Sequence, residues 1–251
     1  MRAEYESVCY ELLRPAQVKA LREKTPIAYV PAGSLEWHGL QNPLGTDSLK
    51  AHAICCEAAI KHGGVVLPPF YQGILGSTNW GPKDWGGFTL SFNERSTLAA
   101  AMLGIVRALV FGKWKVIVGV TGHDIDPQRD AMQRAIDAGT EGEDATGLAM
   151  KEGELHTPDD DIPYGMDHAG AWETSCMMYA CPGKVDMEEL TSRGLCTQDK
   201  TAMSGPEGIG GWNPVKFASA ELGQKIIQRM GDLIGARARQ MLAQLAQSRQ
   251  E

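Results

Sequence analysis

The sequence predicts an α/β fold in which helices cover both faces of a mainly parallel sheet. Short apolar runs, typical of buried strands, alternate along the chain with longer segments that have the length of helices. Proline and glycine residues mark the ends of many of these segments. Strands that alternate with helices form parallel sheets covered on both faces, so this order favours an α/β architecture. We find no internal repeat and no linker, and we expect residues 1–251 to form one domain.

The individual elements follow from apolar runs and their boundaries. The predicted strands are residues 27–30, 65–67, 116–120 and 146–150. The predicted helices are residues 15–24, 48–62, 94–111, 128–138, 171–180 and 215 to about 247. Thr46 or Asp47 can cap the second helix, and Gly231 and Gly235 suggest a kink in the last one. The Gly- and Trp-rich segment 70–92 is longer than an ordinary connection, so we expect a functional loop there.

Composition excludes several classes of protein. The chain is 43% hydrophobic and 22% charged, which is typical of globular domains. Its net charge of -7 disfavours binding to nucleic acid or to an anionic membrane surface, because both need a basic surface. No apolar run reaches the ~18 residues of a membrane helix, and the N-terminal residues lack the apolar core of a secretory signal. Six cysteines without a C-x-x-C pair indicate a reduced, cytoplasmic protein.

Histidine and carboxylate residues cluster at the predicted ends of strands. In open parallel sheets, ligands bind outside the carboxyl ends of the strands. Three groups of such residues lie after the first strand, after the third strand and at the start of a later helix. They are Glu36, His38 and Asp47, then His123, then His168 and Glu173. Carboxylates and imidazoles together suit zinc, manganese or iron, and Asp47 can bridge two ions with one oxygen to each. Each residue also has a structural interpretation, such as a helix cap for Asp47 or a packed histidine.

Three motifs extend this pattern to a known family. G-S-L-E-W-H-G at 33–39 and N-P-L-G-T-D at 42–47 resemble the creatininase (creatinine amidohydrolase) signature, G-S-x-E-x-H-G followed by L-P-L-x-T-D. G-H at 122–123 and H-A-G-A-W-E-T-S at 168–175 resemble two further motifs of that family. Their order and spacing agree from about residue 25 to 180.

The resemblance implies a three-layer α/β/α sandwich, assembly into homohexamers and metal-dependent hydrolysis at a two-metal centre. By resemblance, Glu36 and His123 bind one metal, His38 binds the other and Asp47 bridges them. His168 matches a histidine that contacts the substrate near the reacting bond. The implied cofactors are two divalent ions, zinc or manganese, with iron as a further option.

One position departs from the pattern of creatininase itself, which reads G-H-Y-E with a glutamate for the second metal. This chain has Ile125 there. The second metal therefore needs another ligand, for which Glu173 is the first candidate and Asp124 or Asp126 the next. The change also argues against creatinine as the substrate.

The expected reaction is attack of a metal-activated water on the carbonyl of a small cyclic or linear amide. His168 donates a proton or orients the substrate, and Glu173, if it is not a ligand, accepts the proton of the water. Two alternatives stay open. One is ring-opening C–C hydrolysis of an inositol-derived cyclic diketone, of the 3-dehydro-scyllosose hydrolase type. The other is a non-catalytic metal-binding paralogue, which the loss of a ligand at Ile125 motivates.

The expected partner is a small-molecule substrate, with no nucleic acid and no membrane. Residues 70–92 form a cover over this substrate, in which Ser77, Asn79 or Trp80 contacts it; packing of the same aromatic residues at a subunit interface is the alternative. Further substrate contacts are assigned to Asp124, Tyr164 and Trp172.

Overall fold

The centre of the molecule is a four-stranded parallel sheet. The computed structural model describes residues 2–76, 87–92, 94–205 and 207–248. The strands are β1 (Ile27–Ala32), β2 (Val65–Val66), β3 (Val116–Thr121) and β4 (Thr146–Lys151), in the order β2-β1-β3-β4. Strands β1, β3 and β4 pair in register over their whole length, so they all end level at one edge. The residues that follow β1 and β3 therefore emerge side by side.

Helices cover both faces of this sheet, as the sequence predicts. They are α1 (Pro15–Lys24), α2 (Thr46–His62), α3 (Arg95–Phe111), α4 (Asp126–Thr140), α5 (Ala171–Ala180), α6 (Glu188–Thr191), α7 (Pro214–Phe217) and α8 (Ala220–Gln247). Tyr29 and Val118 point to the face covered by α2, α5 and α8. Ala28 and Ile117, their neighbours in the strands, point to the face covered by α3 and α4. This alternation gives a three-layer α/β/α sandwich with two cores.

The end of the chain differs from its prediction. The sequence predicts one helix from residue 215, but α7 and α8 are separate because each has its own polar cap. The Asn213 side chain accepts a hydrogen bond from the backbone N–H of Val215, and Ser219 accepts one from Leu222. Helix α8 then continues through Gly231 and Gly235 without interruption.

The two glycines of α8 serve close packing against α2. A Cβ atom at Gly231 would lie 2.6 Å from Cβ of Glu57 and 3.0 Å from the backbone nitrogen of Ala58. A Cβ atom at Gly235 would collide with the ring of His62. The absence of a side chain therefore lets the two helices approach each other closely.

The start of α2 also corrects an expectation. Its N-cap residue is Gly45, and neither Thr46 nor Asp47 caps the helix with its side chain. The Thr46 hydroxyl instead donates to the carbonyl oxygen of Pro43, at 2.7 Å. The carboxylate of Asp47 is thereby left for other partners.

Two shorter features complete the fold. The segment 185–211, expected to be mostly loop, contains α6 and the strand β5 (Lys200–Thr201). Strand β5 pairs with β6 (Gly211–Trp212) to form a small antiparallel sheet. The described ends of the 70–92 segment are joined by an isolated bridge between Ile74 and Phe92. Ser77, Asn79 and Trp80 lie outside the described residues.

All six cysteines are buried free thiols. Within the part of the chain that the structure describes, no helix combines the length and the apolar character that crossing a membrane requires.

Candidate metal centre

A cluster of buried imidazoles and carboxylates lies at the carboxyl edge of the sheet. Glu36 and His38 are in the loop after β1, Asp47 is in the first turn of α2, and His123 is two residues after β3. All four are at most 5% exposed. Gly122 makes this closeness possible, because a Cβ atom there would collide with the carbonyl oxygen of Asp47.

The first donor group consists of Glu36, Asp47 and His123 and is named the His123 group here. His123 Nδ1 lies 3.1 Å from Glu36 Oε1 and 3.2 Å from Asp47 Oδ2. The other ring nitrogen, Nε2, lies 3.1 Å from the carbonyl oxygen of Ile74. The ring is therefore fixed from behind, with Nδ1 directed at the two carboxylates.

The second donor group consists of His38, Asp47 and Glu173 and is named the His38 group. His38 Nε2 lies 3.0 Å from Asp47 Oδ1 and 3.5 Å from Glu173 Oε2. Its Nδ1 lies 3.1 Å from the carbonyl oxygen of Glu36. Asp47 thus contributes one oxygen to each group, which is the arrangement in which one carboxylate can serve two cations.

The donor chemistry fits a divalent metal. A backbone carbonyl can only accept a hydrogen bond, so His38 Nδ1 and His123 Nε2 carry the protons of the neutral rings. The opposite nitrogens then direct lone pairs at carboxylate oxygens, and a cation or an added proton must lie between them. Imidazoles held from behind by a backbone carbonyl are typical of metal ligands. In addition, Asp47 Oδ2 makes no well-oriented hydrogen bond among the described residues.

Without a metal, protons lie between the imidazole nitrogens and the carboxylate oxygens. Burial disfavours the charged form of His38, but Asp47 and Glu173 outweigh it and raise its pKa to about 9. Burial likewise opposes protonation of His123, yet Asp47 and Glu36 raise its pKa to about 10. Asp47 itself is buried, which favours its neutral form, but the two imidazoles hold its pKa well below the usual range. Both histidine positions are therefore strongly attractive to cations.

Two residues of the cluster were missed by the sequence analysis, Lys50 and Glu152. Lys50 lies one turn after Asp47 on α2 and is 2% exposed. Its ammonium forms an ion pair with Glu173 and lies 3.0 Å from Glu152 Oε1 and 3.8 Å from Asp47 Oδ1. The spacing of three residues from Asp47 was the one available signal, since it places both side chains on the same face of a helix.

These charges affect each other through the low-dielectric interior. Burial disfavours the charged form of Lys50, but Glu152 and Glu173 raise its pKa well above the usual value. Burial raises the pKa of Glu152 to about 7, against the opposing effect of Lys50. Burial also favours neutral Glu173, yet Lys50 and His38 keep its pKa below the usual range. Glu173 is therefore a carboxylate and a weak base.

His168 lies beside the His38 group. The two rings are 4.7 Å apart between centroids, and His168 Nε2 has no hydrogen-bond partner among the described residues. Burial, together with the charge of His38, lowers the pKa of His168, so its ring is neutral near pH 7. The next residue, Ala169, has a left-handed backbone (φ 56°), and its N–H donates to Glu173 Oε2 at 2.6 Å. The backbone at this point thus holds Glu173 against the centre.

A cavity of about 280 Å³ opens onto these groups. Its described lining consists of site residues and their neighbours: Glu36, Asp47, Gly76, His123, Asp124, Ile125, Asp167, His168, Glu173, Met203 and Gly210. Asp124 also forms an ion pair with Lys151 at 2.9 Å, and the exposed Asp126 lies 3.3 Å from the same ammonium. Neither aspartate belongs to the His38 group.

The other described residues that were assigned to the substrate lie outside the cavity lining. The Tyr164 ring packs on Trp212 and Phe217 and is not among the described lining residues. Trp172 is fully buried in the core, and its indole N–H donates to Glu152 Oε1 at 3.1 Å. Trp172 is thus connected to the centre indirectly, through its hydrogen bond to Glu152. Ser77 and Trp80 lie outside the described residues, so their assignments stay predictions.

An α/β/α sandwich with buried imidazole–carboxylate groups at the carboxyl edge of its sheet defines a class of protein suited to divalent-metal chemistry. The family model described as creatininase, creatinine amidohydrolase, matches residues 11–237. The chain belongs to the creatininase family of hydrolases.

Three relatives are informative. The mycofactocin precursor peptide peptidase of Mycolicibacterium smegmatis (strain ATCC 700084 / mc(2)155) is 30% identical over 179 residues, which are 68% of this chain and 65% of that protein. The match thus spans less than two thirds of the relative's length. A solved structure named "Creatininase Mn" is 21% identical with a TM-score of 0.74, covering 93% of this chain and 98% of that one. A Zn-Zn type mutant creatininase is 22% identical with a TM-score of 0.73, covering 93% and 97%. At these identities the two structures show the fold.

Proposed function

We propose that the protein is a metal-dependent hydrolase that cleaves the C–N bond of a small cyclic or linear amide. The observation that carries the proposal is the pair of buried imidazole–carboxylate groups that share Asp47 and open onto a cavity. Burying these side chains with lone pairs directed at one another is costly unless a cation lies between them, so the arrangement supports metal binding at this site.

The residues that would hold a metal are those of the two donor groups. Glu36, Asp47 and His123 form a complete set of three ligands for one ion, and the family resemblance implies a second ion in the His38 group. A bound zinc or manganese ion, with iron as a further option, would polarise the substrate carbonyl and make a water molecule acidic enough to attack it.

His168 is the residue best placed to move a proton. Its ring is neutral near pH 7, the residue lines the cavity, and Nε2 has no hydrogen-bond partner among the described residues. The ring can take the proton of the attacking water at its unprotonated nitrogen and return it to the leaving nitrogen. Glu173 was the other candidate for this role, but its low pKa and its ion pair with Lys50 make it a poor base. We therefore assign Glu173 to holding His38 and Lys50.

We expect either a small substrate or a longer one of which only one end enters the cavity. A volume of about 280 Å³ is at the lower limit of ligand pockets. A second candidate function, hydrolysis of a peptide bond close to the end of a peptide, is favoured by the relative that is named a peptidase. Both reactions use the same groups on the same type of carbonyl.

The test combines metal content with hydrolysis of a substrate panel of cyclic amides, linear amides, short peptides and cyclic diketones. We expect Asp47→Asn to lose tightly bound metal and all hydrolysis, because both donor groups lose a charge. We expect His168→Ala to keep its metal while kcat falls about 10²–10⁴-fold.

The matched control is Glu143→Gln, an exposed carboxylate far from the cluster in the fold, which should behave as the unaltered protein. Full metal content and turnover in Asp47→Asn would refute the proposed site. Hydrolysis of the diketones alone would move the assignment to C–C bond cleavage.

A further inference from the structure

Lys50 is an unusual neighbour for a metal centre. Its side chain is 2% exposed, so its ammonium has left bulk water and must be balanced by anions. Three carboxylates surround it: Glu173 in direct contact, Glu152 at 3.0 Å and Asp47 at 3.8 Å. Two of these three belong to the His38 group. The ammonium is thus a resident cation within the candidate centre.

The ammonium lies on one side of the centre only. The Asp47 oxygen nearest to Lys50 is Oδ1, the same oxygen that faces His38. On the other side, Oδ2 faces His123 and Glu36. No lysine or arginine among the described residues forms an ion pair with Glu36. Among the described residues, the Glu36 and Asp47 oxygens of the His123 group therefore face only the His123 imidazole, whose proton a metal ion can replace.

Glu173, the third member of the His38 group, has both of its oxygens in use. Oε1 contacts the Lys50 ammonium, and Oε2 accepts a hydrogen bond from the N–H of Ala169 at 2.6 Å. A divalent ion bound to Asp47 Oδ1 and Glu173 would have to share both carboxylates with the ammonium, which lies 3.8 Å from that Asp47 oxygen. Like charges at such a distance repel strongly in a buried site.

One further described carboxylate, Glu36, lies within ligand distance of His38, but its Oε1 already faces His123 in the His123 group. Ile125 presents a hydrocarbon side chain to the cavity, and its neighbours Asp124 and Asp126 pair with Lys151. Glu152 pairs with the Lys50 ammonium and accepts a hydrogen bond from the Trp172 indole N–H, and it belongs to none of the candidate ligand groups among the described residues. It is positioned to fix Lys50 and not to bind an ion next to His38.

We propose that the ammonium of Lys50 takes the place of a second metal ion, so that the centre binds one divalent ion, in the His123 group. The inference rests on the proposed function, since it assumes that the His123 group binds a metal. Lys50 is then a positioning residue: its ion pair holds the Glu173 carboxylate in place beside His38.

The first test is the number of metal ions in the folded protein. The protein is loaded with excess Zn²⁺ or, separately, Mn²⁺, freed of unbound metal and analysed by native mass spectrometry and elemental analysis. We expect one ion per chain in the unaltered protein and in His38→Ala, and none in His123→Ala. Two ions in the unaltered protein, or loss of the single ion in His38→Ala, would overturn the inference while leaving the proposed function intact. No ion at all would overturn both.

The second test removes the ammonium. Lys50→Gln keeps a hydrogen-bond donor near Glu173 but no positive charge, so we expect a second ion to bind with at least about 10-fold higher affinity than in the unaltered protein. Lys61→Gln, on the same helix with a side chain that is 60% exposed, is the matched control and should hold one ion. A folded Lys50→Gln variant that still binds one ion would contradict the role given to Lys50. If Lys50→Gln does not fold, the comparison of His38→Ala with His123→Ala decides.

Discussion

At the scale of single residues, Asp47 has the most constrained side chain of the cluster. It lies between two imidazoles, with 3.0 Å from Oδ1 to His38 Nε2 and 3.2 Å from Oδ2 to His123 Nδ1. Its backbone is pressed against Gly122, and its helix is capped without its help. The Asp47 side chain is thus held in a fixed position, and its carboxylate is available to bind cations. This role explains why an aspartate lies at the start of this helix.

The two histidines predict how the metal-free protein responds to pH. Their pKa values are raised to about 9 and about 10, from about 6.5 in an unfolded chain. A raised pKa means that the folded state binds the proton more tightly. This stabilisation is complete below about pH 6.5 and is lost as the pH rises through 9 to 10. We expect the Tm of the chelated protein to fall by at least about 5 °C between pH 6.5 and 9.5.

The control for this prediction is the protein loaded with zinc. There the metal replaces the protons, so the same pH change should lower Tm by less. Thermal unfolding at several pH values, with and without a chelator, measures both curves. An equal pH dependence of the two forms, or an unchanged dependence in the chelated His123→Gln variant, would contradict the assignment.

The sequence predicted the clustered ligands but not their charged neighbours. Glu36, His38 and Asp47 are close in sequence and carry a motif, so their proximity could be expected. Lys50 could not, because its ion-pair partner Glu173 lies 123 residues away. A lysine on a helix normally reaches solvent, and only the three-dimensional structure shows that this one is enclosed.

At the scale of elements, the helix pair α2 and α8 determines where Asp47 and Lys50 stand. The pair depends on the missing side chain of Gly231. We expect Gly231→Ala to lower the free energy of unfolding by about 1–3 kcal/mol, because a Cβ atom there meets the backbone of α2. Chemical denaturation measures this change.

The matched control is Gly104→Ala. Gly104 lies in the exposed part of α3, and a Cβ atom there meets nothing within 4 Å. Alanine should therefore raise the stability, by about 0.5–1 kcal/mol, through its better helix propensity. A stabilising effect of alanine at both positions would show that close packing is not what Gly231 provides.

Elements with a clear apolar run were predicted within a few residues of their observed bounds, as for β1 and β3. Errors arose where the deciding interaction was a polar cap or a contact between distant segments. Ser219 caps α8 and so divides the predicted helix in two, although the apolar pattern runs across it. The sequence suggested a kink at Gly231. It could not show that this glycine instead lets a neighbouring helix approach, because sequence alone does not reveal which neighbour lies there.

At the scale of the whole molecule, the three-layer architecture was predictable because alternating elements allow few alternatives. The strand order β2-β1-β3-β4 could not be predicted in the same way, since it depends on which way each connection crosses the sheet. This order places β1 and β3 side by side, and their neighbouring ends bring Glu36 and His123 together.

The quaternary structure is a prediction that concerns the assembled protein. We expect a homohexamer, which the family resemblance implies. Size-exclusion chromatography with light scattering should give six times the mass of one chain. The mass of a single chain across the micromolar concentration range would contradict this prediction.

Helix α8 provides no ligand, yet it packs on both α2 and α5, the helices that carry Asp47 and Glu173. Random mutagenesis that selects for lost activity would therefore return α8 substitutions that resemble defects of the catalytic residues themselves. Compensating changes would be found across the α2–α8 contact and not around the cavity. The part of the molecule that maintains this centre is thus larger than its ligand set. Transplanting the ligands alone into another scaffold would omit the helix that keeps them together.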